Sequence, residues 1–542
     1  MSGISMPCVR SVPRILASSV FMLLFGFAVH AQTFTWATSA GGGLRVYGRK
    51  ILPDGNGGAY IAGFYVSNVD GPVVCDTVHF PNSTTLSEYA LHVDAGGSAQ
   101  WVKTVETGIF ADAVGVGTNV AGDLFFAGQA ADIPVHADTA GGTVVRTLGF
   151  LARYSPAGGL RWQVYDSAAP RSAYQDVVVE RDGGACVVGH WEGTPRRGEI
   201  ARYAPDGSLR WRVVSSESGE ALFRAAALDS SGALVVAGTL LDTVTIDTAT
   251  VVITDGHYMA CTAALDSAGN LLWLRQMAPV SELVLARDVE IDAAGNSYVV
   301  LAPQSGSPSR LFKYDRTGNL LWQRSINGAV KGITAEPDGW FEVIGTVPFA
   351  ATVDTIIATG TPGNGGRDEM AFIARFTPEG RIAWMVQPRG SKPQMGEGIA
   401  WDPRGTVLAA GSFGDDLAGT CTAIFGATTL RGSGSSSMFA ARLAGTSAVP
   451  ERSTGLENPA AVQLVVDDAT GMPLLSLRLA RRIHLRIDVV DILGRSIAAV
   501  ADRTFEIGET VLPVGAVAMA SGTYFCIIRS DDRSCAFPFI TR

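Results

Sequence analysis

The chain has 542 residues, of which 17% are charged and 63 are Gly, and its 42 basic against 51 acidic side chains give a net charge of −9. That length admits a large core plus an accessory domain, and the Gly content suits many short strands and tight turns rather than long helices. An acidic chain without basic clusters excludes nucleic acid and anionic lipid as expected partners.

Residues 1–31 read as a secretory signal. Arg10 and Arg14 precede an apolar run from Ile15 to Val29, and Val29-His30-Ala31 sets small residues before a cut between Ala31 and Gln32. The run is shorter than the ~20 apolar residues that span a bilayer, so no integral membrane segment is expected after cleavage. The cleaved chain keeps 40 basic and 51 acidic residues, a net of −11, and six Cys. Cys75, Cys186, Cys261 and Cys421 are widely spaced in strand-like runs, where a buried thiol is at least as natural as a disulfide.

From Gln32 to about Gly445 one four-strand unit recurs seven times. A Gly is followed six residues later by another at Gly57/Gly63, Gly122/Gly128, Gly183/Gly189, Gly232/Gly238, Gly339/Gly345 and Gly405/Gly411, and only the fifth copy, Gly295/Leu301, departs. Between these runs Gly-x-x-x-Trp at Gly97/Trp101, Gly158/Trp162, Gly207/Trp211, Gly269/Trp273, Gly318/Trp322 and Gly380/Trp384, while the seventh Trp, Trp36, stands near the start. A unit divided between the two ends is whole only if the repeats close into a ring. The expected fold of 32–445 is therefore an all-β, seven-bladed β-propeller whose N-terminal strand closes the last blade.

The third copy shows the plan. Tyr174–Glu180, Ala185–Gly189, Glu199–Tyr203 and Leu209–Val214 read as strands, joined at Arg181-Asp-Gly-Gly184 and Ala204-Pro-Asp-Gly207 by turns in which Gly supplies positive φ. Asp54-Gly-Asn-Gly-Gly58 has a calcium-loop flavour but no acidic residue at the twelfth position, so these Asp are read as turn residues. Both turn types share one edge. The connections from strand two to strand three lie at the other edge and vary most, with Ile133-Pro-Val-His-Ala-Asp138 and Val353-Asp-Thr-Ile-Ile357 resembling added hairpin strands. Recognition of an extracellular protein or glycan is expected at that rim.

Trp36, Trp101, Trp162, Trp211, Trp273, Trp322 and Trp384 are read as structural, one large ring per blade filling the wedge between sheets; an exposed aromatic binding ladder is the alternative. No catalytic constellation emerges. His79, His92, His136, His190, His257 and His484 are isolated, no nucleophile elbow is present, and the pairs Asp415-Asp416 and Asp467-Asp468 read as solvated turns. No catalytic, cofactor-binding or metal residue is expected, and no enzyme activity.

The tail changes character. Residues 446–458 form a linker, and strand-like runs follow at Val462–Val466, Leu474–Leu479, Ile483–Ile492, Ser496–Val500, Glu509–Pro513 and Thr523–Ile528. Alternation in Leu485-Arg-Ile-Asp-Val489 suits a sandwich strand with one apolar face, so 459–542 is expected to be a small Ig-like β-sandwich. Cys526 and Cys535 bracket a turn-like Arg529-Ser-Asp-Asp-Arg533, making a bridge across that hairpin a candidate.

The combination of the paired Gly, Phe372-Ile-Ala-Arg-Phe376 and Gly380-x-x-x-Trp384 resembles the bacterial β-propeller repeats known as SBBP, which occur in secreted and surface proteins and carry no single activity. Asp315-Arg-Thr-Gly-Asn-Leu-Leu-Trp322 is also similar to the tryptophan-docking motif of quinoprotein propellers; those rings generally have eight blades and an adjacent Cys pair, which this chain lacks. A quinoprotein-like or carbohydrate-active propeller is the alternative function. The tail resembles the type A C-terminal sorting domain of type IX secretion through Asn458-Pro459, Asp491-Ile-Leu-Gly494-Arg495, Gly522-Thr-Tyr524-Phe525 and Phe539-Ile-Thr-Arg542. That resemblance implies passage through the periplasm, recognition of 459–542 by the translocon, and a final place outside the cell or on the outer-membrane surface.

Overall fold

The computed structural model describes residues 33–67, 71–108, 114–137, 143–254, 256–277, 284–303, 308–348, 352–353, 356–357, 369–414, 419–444, 461–466, 473–479, 482–491, 496–506, 508–514, 522–529 and 534–541. The chain divides into two compact units, Gln32–Glu451 and Arg452–Arg542. The described residues are all-β and the sheets of the larger unit are blade-like.

In the third copy Ser172–Val179, Ala185–Trp191, Arg197–Tyr203 and Leu209–Val214 pair in that order, each antiparallel to the next. The first copy repeats the order with Arg45–Pro53, Ala59–Val66, Leu86–Val93 and Ala99–Gly108, and the second with Val114–Thr118, Leu124–Ala137, Thr143–Tyr154 and Leu160–Tyr165. The fourth, fifth and sixth copies, beginning at Gly219–Leu228, Val284–Ile291 and Ala329–Ala335, do the same. The last sheet draws on both ends of the repeat region. Gln394–Asp402, Thr406–Gly414 and Ser436–Leu443 are completed by Phe34–Gly41, which sets Thr38 opposite Ala440 and Ser39 opposite Phe439.

The paired Gly of the repeat have separate causes. The first closes the turn between strands one and two, as Gly183 does at φ 86°, a conformation costly for any residue with a Cβ. The second answers a β-bulge. The register of the first strand skips Arg49, Gln175, Arg224, Arg287, Lys331 and Glu397, and the bulge bends the preceding carbonyl onto strand two. A Cβ on Gly63, Gly189 or Gly411 would overlap the carbonyl oxygen of Tyr47, Ala173 or Met395. In the fifth copy Leu301 sits opposite Ala286 at the same place, and nothing in the structure explains how that bulge accepts a side chain.

First strands of successive units touch one another in order, and Gln394–Asp402 in turn touches Arg45–Pro53. Small residues allow the approach: just after the bulge a Cβ on Gly398 would lie 2.7 Å from the Arg49 carbonyl oxygen, and at the equivalent place in the second copy one on Gly115 would lie 2.7 Å from the Asp176 Cα. Apolar residues fill the spaces between sheets, for example Cys186, Val188 and Ile200 of the third unit around Phe223 and Val236 of the fourth. Cys75, Cys186 and Cys261 are buried thiols there; burial pushes them up to about 11, 12 and 12. Cys421 is buried with Sγ 3.8 Å from the Phe413 carbonyl.

In the smaller unit Ala461–Val466, Pro473–Leu479 and Gly508–Pro513 form one sheet, and Ser496–Phe505, Ile483–Asp491, Gly522–Arg529 and Ser534–Thr541 another. Leu475 of the first sheet shares a cluster with Leu485, Ile487, Val489, Phe505, Cys526 and Ile528 of the second. The alternation expected over Leu485–Val489 is broken where the register shifts between Ile487 and Asp488. Asp488 is buried on the side read as polar, and accepts a 3.0 Å bond from Arg486 Nε. The strand Ser534–Thr541 adds to the runs expected from the sequence, where Pro538 interrupts the strand pattern.

Candidate functional site

The tryptophans lie between sheets. In five units the indole Nε1–H donates to a carbonyl in the turn between strands three and four of the next unit: Trp101 to Pro156 at 2.9 Å, Trp162 to Pro205 at 2.9 Å, Trp211 to Ser267, Trp273 to Arg316 and Trp322 to Pro378, the last three at 3.0 Å. Two residues beyond each acceptor stands the repeat Gly, face-on to the indole. An added Cβ would lie 3.1 Å from the Trp101 ring at Gly158 and 2.7 Å from the Trp273 ring at Gly318. The Gly of Gly-x-x-x-Trp thus serves the Trp of the preceding unit: Gly97 receives Trp36. Trp384 faces the sheet completed by the two chain ends, where no such turn exists, and packs instead with Ile344, Ile399 and Val407.

A cation on strand three reinforces this latch. Arg153 also donates to the Pro205 carbonyl at 3.0 Å and Arg202 to that of Ser267 at 2.7 Å. Each Arg at this place is held by a carboxylate near its own first turn, Arg153 by Asp123 at 2.6 Å, Arg202 by Glu180, Arg375 by Glu336 at 2.6 Å and Arg442 by Asp402 at 3.0 Å, and in the first unit His92 Nε2 lies 3.1 Å from Asp54 Oδ2. The Asp read as turn residues behave so. Asp54 Oδ1 accepts from Asn56 N at 2.7 Å and Gly58 N at 2.8 Å.

The rim insertions are folded hairpins. Leu124–Ala137 with Thr143–Tyr154, Leu234–Ile246 with Ala249–Val252, and Cys421–Phe425 with Thr428–Gly432 pair beyond the four-strand frame. Ile133 to Ala137 is strand, as read, and Thr352–Val353 pairs with Ile356–Ile357. Val244, Ile246, Val251 and Ile253 join the core beneath them, while Val252 and Ile424 turn outward.

A second feature was missed in the sequence. One cavity of about 380 Å³ is lined by first-strand residues from every copy of the repeat. The skipped bulge residues face it, and each stands eight positions before the first Gly of its copy: Arg49, Gln175, Arg224, Arg287, Lys331 and Glu397, with Val114 at that count in the second copy. That offset was the available signal. Beside them Lys50 Nζ reaches Asp288 at 3.2 Å and Asp176 at 3.4 Å, so the first, third and fifth units meet across the cavity. Burial alone would depress the Lys50 ammonium, but the two carboxylates outweigh it and hold it above the usual lysine range. Burial, and then the Asp288 charge, pushes Glu290 up to about 8. Arg49 pairs with Glu397 at 3.0 Å; against its burial, Arg49, Lys331 and Arg287 hold that carboxyl below the usual range.

Of the sorting-motif residues, Asp491 stands opposite Tyr524, which is buried, and Gly522 begins its strand opposite Thr541. Gly494, Arg495 and Arg542 lie outside the described residues, as do Ala31, Gln32 and the linker 446–458. The hairpin register sets Cys526 opposite Phe537 and Cys535 opposite Ile528, a diagonal pair; diagonal positions sit ~7–8 Å apart, and the Cys535 side chain is outside the described residues. Among the described residues no group of three or more His, Cys, Asp or Glu is placed to hold a metal ion, and no helix is long and apolar enough to cross a membrane.

No family model and no curated protein matches the chain. Among solved structures it is similar to YCF48 bound to D1 peptide, at 9% identity over 77% of this chain and 97% of that one with a TM-score of 0.36. It is similar also to the Neurospora crassa Pan2 WD40 domain, at 11% identity over 61% and 88% with a TM-score of 0.33. PorZ, a surface component of the type-IX secretion system of Porphyromonas gingivalis, aligns at 10% identity over 94% and 87% with a TM-score of 0.22. At these values the fold argument rests on strand pairing alone.

Proposed function

We propose that residues 32–445 close into a seven-bladed β-propeller of the SBBP kind and that the chain is an exported binding or scaffold module, which engages an extracellular protein or glycan at its insertion-bearing rim. The observation that carries this reading is the contrast between the two edges. The turn edge is uniform and committed to the inter-sheet latch of Trp, Gly and cation, whereas the opposite edge carries paired hairpins that differ from unit to unit. A rigid scaffold with one variable edge is the arrangement that recognition surfaces use. The reading assigns the chain no catalytic step and no cofactor.

In the same reading 459–542 is an Ig-like sandwich that directs type IX export after the signal is removed at Ala31/Gln32, leaving the propeller outside the cell or on the outer-membrane surface. Two measurements test the two halves. A glycan and protein array probed with the full chain should give a binder whose signal falls when the 421–432 hairpin is replaced by a short turn; binding unaffected by any rim replacement rejects the rim. Deleting Pro459–Arg542 in the native host should retain the chain in the periplasm, and undiminished surface display rejects the sorting role.

A further inference from the structure

One strand-three position sets the third unit apart. Three residues before the partner of the latch Trp, five copies carry Tyr89, Phe150, Cys261, Phe372 and Phe439, all buried between sheets. In the third unit that place is Glu199, fully buried. Packing alone therefore does not call for an acid here. Beside it, at the end of the second unit's outer strand, stands a second fully buried carboxylate, Asp166, and the two share one cation: Arg212 Nη2 lies 2.7 Å from Asp166 Oδ1 and Nε 2.6 Å from Glu199 Oε1. The Trp191 indole N–H donates to Glu199 Oε2 at 2.9 Å, whereas Asp166 Oδ2 finds no donor. The other titratable groups facing the cluster are Tyr174 and Tyr203, whose hydroxyls bond each other at 2.8 Å. Burial raises both, Tyr203 to about 12, so neither supplies charge.

Two dry carboxylates on a single guanidinium leave one negative charge without a counter-ion, and a buried site relieves that by keeping a proton. The orphaned Asp166 oxygen is the acceptor such a proton needs. We propose that Glu199, Asp166 and Arg212 form a proton-held clasp between the second and third units: Glu199 is folded as the neutral acid with its O–H donated to Asp166 Oδ2, and loss of that proton to solvent loosens the outer wedge between the two sheets. Burial, and next the Asp166 charge, pushes Glu199 up to about 8 against the pull of Arg212. Because this lies above the ordinary glutamate value, the clasp contributes fully below ~4.5 and its contribution is lost as pH rises to ~8. No rim hairpin takes part, since the third unit joins Trp191 to Arg197 by a short connection, so the clasp stands or falls apart from the rim reading.

Trp191 reports on the cluster because its N–H ends on Glu199. The difference in emission between the full chain and its Trp191→Phe variant, followed from about pH 5 to about pH 10, should show one transition centred near 8. Glu199→Gln should abolish it, whereas Glu290→Gln, in the central cavity, should leave it unchanged. Opening is read separately at Val164→Cys, in the apolar cluster between the two units: above the transition iodoacetamide should label it several-fold faster than the same site in the Glu199→Gln background, and below the transition equally fast. Should Glu199→Gln fail to fold, Asp166→Asn repeats the test, and removal of the neighbouring charge should move the midpoint to lower pH. Absence of a Trp191 transition in the full chain, a transition that survives Glu199→Gln or keeps its midpoint in Asp166→Asn, or equal labelling in both backgrounds at every pH overturns the proposal.

Discussion

Removing the indole of Trp162 tests the inter-sheet latch. The side chain is half-buried among Phe125, Val177 and Tyr203, with its ring over Gly207 and its N–H on the Pro205 carbonyl at 2.9 Å. A Trp carries 150–250 Å², so about 100 Å² withdrawn from water at ~25 cal/mol/Å² amounts to about 2.5 kcal/mol. The hydrogen bond adds about 1 kcal/mol. Trp162→Ala should therefore cost about 3–4 kcal/mol, and Trp162→Phe about 1–2 kcal/mol, since Arg153 still donates to the Pro205 carbonyl. Gly207→Ala meets both a φ of 86° and a ring atom at 3.1 Å, for a loss of about 1–2 kcal/mol from the backbone alone. Urea unfolding followed by circular dichroism measures all three and the double variant. Because the ring contact disappears with the indole, the double variant should cost less than the two single losses together. A Trp162→Ala variant within about 0.5 kcal/mol of the parent, or strict additivity, would refute the latch.

The second repeat Gly makes a sharper demand. Gly411→Ala, whose Cβ would overlap the Met395 carbonyl and come 2.7 Å from the Phe439 ring, should lower Tm far more than Gly55→Ala, which carries only the backbone cost of its φ of 81° and meets nothing within 4 Å; equal Tm losses would dismiss the bulge explanation. Lys50→Met strands Asp176 and Asp288 beside each other and should cost about 3–5 kcal/mol in urea unfolding, while replacing all three residues by apolar ones should recover most of it. Glu290 gives a pH signature. Its folded pKa, about 8, lies above the ordinary glutamate value, so the folded state binds the proton more tightly and stability falls as pH rises between ~4.5 and ~8. The slope for one proton is at most about 1.4 kcal/mol per pH unit, and Glu290→Gln should flatten it; an identical slope in the variant counts against the assignment.

Much of this architecture was readable because its causes are local. The third copy's strands follow from turn Gly and period-two runs, and the isolated position of Trp36 pointed to a strand that joins the last sheet. The reading failed where a residue's role is set by a neighbouring unit. Gly207 was assigned with Trp211 because they are close in the chain, yet its ring partner is Trp162. The cations on strand three carry no spacing signal of their own, although Arg153 bridges Asp123 and the next unit. The cavity ring escaped for a related reason. A bulge puts Arg49 and Lys50 out of step with strand alternation, so period-two reasoning sends Arg49 to the wrong face. Asp488 shows the same limit in the tail, where the register shifts between Ile487 and Asp488.

Closure of the repeat region by its own N-terminal strand underlies the whole account. Ala37 and Ala441 are opposed in the register of Phe34–Gly41 with Ser436–Leu443, a spacing of ~4.5–5.5 Å between Cα atoms that a disulfide can span. The full chain carrying Ala37→Cys and Ala441→Cys, with Cys421→Ala to remove the native thiol that shares their cluster, should oxidise to an intramolecular bridge that survives limited proteolysis and raises Tm. Failure to cross-link in the folded protein, with Ala37→Cys remaining open to thiol reagents, would contradict the ring.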